Sequence, residues 1–487
     1  MDKKRHWAGI GFAILVFFLL LAFFTEAHPL VMYDGDDWNG LSKQRSIAFP
    51  KWHDHNPIKV LPESLMPLAG SLAAYFVCPF LGDFVSSVTL VSAALVSLAV
   101  ILCVFLFLRV MEGAFSLEPW AACLLSGIFL AFHFLIFRGG ESNDLYLFAA
   151  PNLTCYYNYT IPALLNMTLV LFFLWRGISG NRSTEGQRGK DALLVFVLFL
   201  ALCSNVLHSI ILMAYVMTEL LWEIRRWRQQ RFFLGLLAGW LLTLLLEATG
   251  GRAGQMGQSL WEIPLGNTFL SLMHVLFQNN KGIFIALAFA LVFVGSSLFL
   301  YLRRKEKDAL DDMYRVRQQK FLLCALLWTA YVVPVCARAG GGYVDWPGVT
   351  IGLFFYLFLG MMWAAAYVFR RKPGALSILP ILAFILFCRA VNPEQGLTHS
   401  TMGNVPPAIC AEISRDLIRQ VRSAEEQGLR EMELHVPKGD DRDNWPHPTY
   451  MGPAVSRLLY GQGLIPYPIR ITVVPDGEMN LRYGLEK

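Results

Sequence analysis

Charge is what this chain has least of. Asp, Glu, Lys and Arg make up 16% of its 487 residues, against roughly 25% in a soluble protein. That shortage excludes an ordinary water-soluble chain of several domains. No Walker loop and no dinucleotide fingerprint occurs, so nothing points to a nucleotide-binding fold. No Cys-x-x-Cys occurs, and no His/Cys group has metal-ligand spacing. The nine cysteines lie mostly within apolar runs (Cys103, Cys123, Cys203, Cys324, Cys388) and read as small buried hydrophobes. Cys155 and Cys410 fall outside those runs, with no pattern supporting a bridge between them. The net charge of +5 is small and its positives are clustered, which argues against a nucleic-acid partner.

What is abundant is apolar. Hydrophobic residues reach 55% and mean hydropathy is +0.46. The apolar runs are long enough to cross a hydrocarbon core of about 30 Å. They fall near 8–25, 84–109, 119–137, 159–175, 192–204, 206–222, 232–248, 283–302, 321–337, 349–369 and 374–390. These runs predict an all-α polytopic membrane protein of about eleven transmembrane helices. Lys3-Lys4-Arg5 precedes the first run, which reads as an uncleaved anchor with a cytoplasmic N-terminus. The stretch 192–222 decides the parity. Both its flanks are basic (Arg182, Arg188 and Lys190; Arg225, Arg226, Arg228 and Arg231), so both belong in the cytoplasm. Two short helices turning near Ser204-Asn205 satisfy this, and then the basic loops at 303–320 and 370–372 also fall inside. The loops near 26–83, 138–158, 249–282 and 338–348 fall outside, as does everything after 391. Leu65–Phe80 is apolar but interrupted by Pro67, Gly70 and Pro79, and reads as an interfacial or re-entrant part of the first outer loop.

The division is therefore a membrane domain, 1–390, with a first outer loop at 26–83, followed by a soluble extracytoplasmic domain, 391–487. Helical spacing covers 407–427 and 452–461. Strand alternation covers Glu431–Val436 and Ile469–Val474. This predicts a small α/β lobe. Asp440 to Trp445 reads as a solvated loop.

Several groups carry candidate chemistry. Soon after the first helix comes Tyr33-Asp34-Gly35-Asp36-Asp37-Trp38. Carboxylates so close repel one another, which raises at least one pKa and suits general-base work or coordination of a divalent cation (Mg or Mn). Gly35 permits a tight turn between them. Further along the loop, His53, Asp54, His55 and Glu63 are either an acceptor or metal site or solvated loop residues. Arg252, beside Gly250 and Gly251, offers a bidentate fork for a lipid phosphate. Arg338, Arg389 and Lys281 sit at predicted outer helix ends and offer further cations for phosphate, or snorkel to headgroups. Asn205 and His208 lie at the predicted hairpin tip, as sugar contacts or helix caps. The segment 138–160 is rich in Tyr and Asn, Tyr157 among them, which suits stacking on sugar rings or an interfacial aromatic belt.

An N-terminal helix, a long first outer loop with an acidic pair near its start, and many further crossings together resemble the GT-C superfamily of membrane glycosyltransferases. Residues 203–208 also resemble the hairpin tip of related bacterial proteins. The resemblance implies a polyprenyl-phosphate-linked sugar as donor and a cell-envelope glycan or lipid-linked acceptor. It implies inverting transfer at the outer face of a bacterial inner membrane. It implies that Asp36 or Asp37 acts as general base, with Asp34 as third candidate. Two other readings share the topology, a flippase or transporter of lipid-linked glycans and a polysaccharide polymerase or ligase. A transporter predicts polar residues deep in several helices and an internal repeat, and a polymerase predicts its large outer loop late in the chain; neither pattern is clear here.

Overall fold

The computed structural model describes residues 3–43, 49–52, 56–137, 146–178, 188–224, 230–250, 263–277, 281–339, 341–391, 405–440 and 442–485. The chain is a multi-pass membrane protein. Among the described residues, nine helices are long and apolar enough to cross a membrane, and one two-stranded sheet lies in the C-terminal lobe.

The bundle begins with α1 (Lys3–Ala22), extended by a wide turn over Phe23–Ala27. A short α2 (Gly35–Ser42) follows, then α3 (Val60–Leu72), which continues to Leu81. Next come α4 (Phe84–Phe115), α5 (Pro119–Leu135) and α6 (Ile161–Ile178). The hairpin partners are α7 (Arg188–Leu202) and α8 (Val206–Trp222). The remaining bundle helices are α9 (Arg231–Ala248), α10 (Leu265–Phe277), α11 (Lys281–Arg303), α12 (Ala309–Ala339), α13 (Pro347–Arg371) and α14 (Leu379–Ala390). Helix α13 is the hub, 89% buried, whereas the last candidate span, Pro373–Ala390, is only 17% buried and lies at the rim. The hub is built for close approach: a Cβ at Gly352 would collide with the Trp328 indole of α12.

The stretch 192–222 is broken into two helices, as its basic flanks required. Leu202 ends α7, and the Asn205 side chain caps α8 by accepting from the Leu207 amide at 2.9 Å. One helix was not expected: α10 lies within the predicted loop 249–282.

The lobe consists of α15 (Pro407–Glu426), β1 (Glu431–Pro437), α16 (Met451–Gly461), β2 (Arg470–Asp476) and α17 (Gly477–Tyr483). Its strands are parallel, with Glu431 opposite Arg470 and Leu434 opposite Val473. A parallel pair needs a crossover, and α16 supplies it. Neither Cys155 nor Cys410 forms a disulfide.

The lobe docks on one end of the bundle through consecutive residues of α15. Ser414 Oγ donates to the Met32 carbonyl just beyond α1 at 2.8 Å. The Arg415 guanidinium meets Asp83, which caps α4, at 3.0 Å. The chain therefore leaves α1 and enters α4 at the same end, and Val60–Leu81 does not carry it across. Instead it lies beneath the lobe, where the Tyr75 hydroxyl donates to the Gly461 carbonyl at 3.4 Å. At the opposite end, Glu219 of α8 is clamped by Lys320 at 2.6 Å and Arg317 at 3.2 Å, both from α12.

Candidate active site

The acidic turn is a helix start. Asp34 caps α2, its Oδ1 accepting from the Asp37 amide at 3.0 Å. This satisfies one of the N–H groups left open at every helix N-terminus, and the acidic first turn suits the helix dipole. Asp37, Trp38 and Leu41 are buried on one face of α2, while Asp36 points to solvent. Helical geometry thus assigns adjacent carboxylates opposite environments.

Asp37 is an anchor. Its Oδ1 accepts from the Thr154 amide at 2.7 Å and from Thr154 Oγ1 at 2.9 Å, and its Oδ2 accepts from the Tyr33 amide at 3.0 Å. Asp34 Oδ2 accepts from Asn152 Nδ2 at 2.7 Å, while Asn152 Oδ1 accepts from the Cys155 amide at 2.7 Å. The turn therefore caps the segment leading into α6, and Asn152 of that segment in return holds the Asp34 carboxylate. Burial pushes both carboxyls above the ordinary carboxylate range; repulsion from Asp37 adds to this at Asp34, while the donors to each work against it.

The lobe completes the site. The Gly35 amide donates to the Pro446 carbonyl at 2.9 Å, and a Cβ at Gly35 would stand 2.7 Å from the Pro448 ring. His447 is fully buried with its ring edge-on to Tyr33, centroids 4.9 Å apart, and burial pushes its pKa down to about 3. The Tyr450 hydroxyl donates to Asp36 Oδ1 at 2.9 Å. Arg457 of α16 reaches Ser42 Oγ at 3.3 Å and Asn39 Oδ1 at 3.4 Å, and Asn39 lies one helical turn from Asp36. The loop expected to be merely solvated therefore continues into the roof of the acidic turn.

No family model matches this chain, and no curated protein or solved structure matches it.

The other predicted site residues scatter. Arg252, His53 and His55 lie outside the described residues. Glu63, on α3, accepts from Asn56 Nδ2 at 3.0 Å. Tyr157 is buried, its hydroxyl 3.0 Å from Ser92 Oγ of α4, so its ring is closed to a ligand. Asn205, besides capping α8, donates from Nδ2 to the Asn158 carbonyl at 2.9 Å. His208 is fully buried, with Nε2 2.8 Å from the Gly348 carbonyl. Both are helix-packing groups rather than open sugar contacts. Lys281 starts α11, and Arg338 and Arg389 lie near the ends of α12 and α14; among the described residues no hydrogen bond or ion pair joins them to the acidic turn. Among the described residues no group of three His, Cys, Asp or Glu side chains is arranged to hold a metal. Moreover, Asp34 and Asp37 direct oxygens at N–H and O–H donors, which does not suit coordination of a divalent cation. Sequence reasoning missed Thr154, Tyr450 and Arg457, and placed Asn152 only in the Tyr- and Asn-rich segment 138–160. The capping preference of Asn is the signal that could have marked a helix start at 152, whereas nothing in the sequence ties Tyr450 or Arg457 to residues some four hundred positions earlier.

Proposed function

We propose that this chain is a glycosyltransferase of the membrane, moving a sugar from a polyprenyl-phosphate donor to a cell-envelope glycan or lipid-linked acceptor on the outer face. The observation that carries the reading is the split among the three carboxylates. Asp34 and Asp37 are locked inside, while Asp36 stands exposed on the platform they build, oriented by Tyr450 from the lobe. In this reading the acceptor hydroxyl attacks the anomeric carbon as its proton passes to Asp36. The bond from that carbon to the phosphate oxygen breaks, and the polyprenyl phosphate leaves with inversion. A general base of this kind contributes about 10²–10⁴-fold. Arg457, which reaches Asn39 one turn of α2 from Asp36, is a cation on the same platform for the departing phosphate. No metal takes part in this scheme.

The topology proposed with it has eleven crossings: α1, α4 to α9 and α11 to α14. The N-terminus is cytoplasmic, and the bundle (1–390) carries the lobe (391–487) outside, in a bacterial inner membrane. Supporting this are the basic flanks of 192–222 and the docking of Met32 and Asp83 on one end of the bundle.

The test is a donor panel on membranes containing the full chain. Transfer from a polyprenyl-phosphate sugar, and none from nucleotide sugars, is expected. Movement of an intact lipid-linked glycan between leaflets, with no glycosidic bond made, would overturn the proposal in favour of transport.

A further inference from the structure

Where α15 meets α1 and α4, two adjoining hollows of about 600 Å³ and about 430 Å³ share Glu412 and Arg415 in their walls. The larger one is apolar on its bundle side, along Leu81, Val85 and Leu90, and includes Glu26. The smaller one includes Arg419 and Arg422. Neither hollow contains the acidic turn, so the feature is separate from the candidate active site.

The charges here are mixed and partly open. Arg415 is fixed, with Nε donating to Asp83 Oδ2 and Nη2 to Ser86 Oγ, both at 3.0 Å. Arg419 meets Asp416 at 3.0 Å. Glu26, Glu412 and Arg422 have no hydrogen-bond or ion-pair partner among the described residues. A trough with an apolar wall, two open carboxylates and an open guanidinium matches an amphiphile whose head carries both charges. A purely anionic head would meet Glu26 and Glu412, and a purely cationic head would meet the three arginines.

We infer that this trough binds a glycerophospholipid whose headgroup pairs a phosphate with a primary ammonium, the ethanolamine class. The phosphate lies against Arg422 and Arg415. The ammonium donates to Glu26 and Glu412, and an acyl chain follows Val85 and Leu90. A quaternary choline head has no N–H to donate, and a glycerol head has no cation. The lipid would seal the seam between lobe and bilayer, whatever reaction the protein performs.

The full chain, purified in detergent and stripped of lipid, would be exposed to equal amounts of phosphatidylethanolamine, phosphatidylcholine and phosphatidylglycerol, and retained lipid counted by native mass spectrometry. Charge-assisted hydrogen bonds of the size usual in proteins predict a preference for the ethanolamine lipid of about tenfold or more. The double variant Glu26→Gln/Glu412→Gln should lose that preference while still retaining phospholipid. Arg422→Gln should lower retention of all three lipids. All three side chains are exposed, and size-exclusion elution checks that each variant stays folded. Equal retention of the three lipids by the wild type, a preference that survives the double variant, or retention unchanged by Arg422→Gln would each overturn the assignment.

Discussion

Removing the carboxylate of Asp37 should damage the protein far more than removing that of Asp36, its neighbour in sequence. Asp37→Ala leaves the Tyr33 amide, the Thr154 amide and the Thr154 hydroxyl without their acceptor, which is a fully buried carboxylate. The orphaned Tyr33 amide is buried and costs about 1–3 kcal/mol, and the two partly buried Thr154 donors add less each. The expected loss is therefore several kcal/mol, concentrated where α2 meets the start of α6. Asp36→Ala removes a single bond at the surface and should cost within about 1 kcal/mol. Thermal loss of the monodisperse peak in detergent ranks the two variants. Hydrogen exchange at the Tyr33 and Thr154 amides then localises the effect. If both variants melt together, or if those amides exchange no faster in Asp37→Ala, the anchoring role of Asp37 is refuted.

Three further outcomes follow from other contacts. Because Asp34 and Asp37 have pKa values raised above their unfolded ones, the folded state holds extra protons, so their contribution to stability is present at low pH and lost as pH rises through the raised values. Asp37→Asn should therefore gain stability relative to wild type as pH rises from about 4 to about 6, a comparison that cancels the opposite slope of buried His447; a difference between the two melts that does not change with pH would contradict this. Gly35→Ala should push Pro448 away, at about 1–3 kcal/mol for overpacking, and free the Gly35 amide to exchange; native protection of that amide would show that the lobe is not pressed on the turn. Glu219→Gln strands Lys320 and Arg317 and should destabilise by about 3–5 kcal/mol, with partial recovery in Glu219→Gln/Lys320→Met when the melts are compared.

Much of the fold was legible because membrane crossings are written in long runs and basic flanks. Residues 192–222 show this well: charge at both ends required an even number of passes, and Asn205, a natural cap, supplied the break. The lobe was legible for the same kind of reason, with the period of α15 and the alternation of β1 visible in sequence. Helix α10 was missed because thirteen residues are too short to stand out as a crossing. The site was only half legible. Repulsion among the three carboxylates could be read from spacing, but their separation into two buried anchors and one exposed group needs the face of α2. Tyr157 and His208 looked functional because aromatic and polar residues near a membrane surface often are, yet each is consumed by helix packing. The roof from Pro446 to Arg457 is a long-range contact between the lobe and α2, which no local pattern encodes.

The most direct test of sugar transfer by this route is the turnover of Asp36→Asn relative to wild type, in membranes where both insert to the same level and melt alike. If Asp36 is the base, turnover should fall by about 100-fold or more with the fold unchanged. Turnover equal to wild type would contradict the assignment and leave the acidic turn as a structural cap.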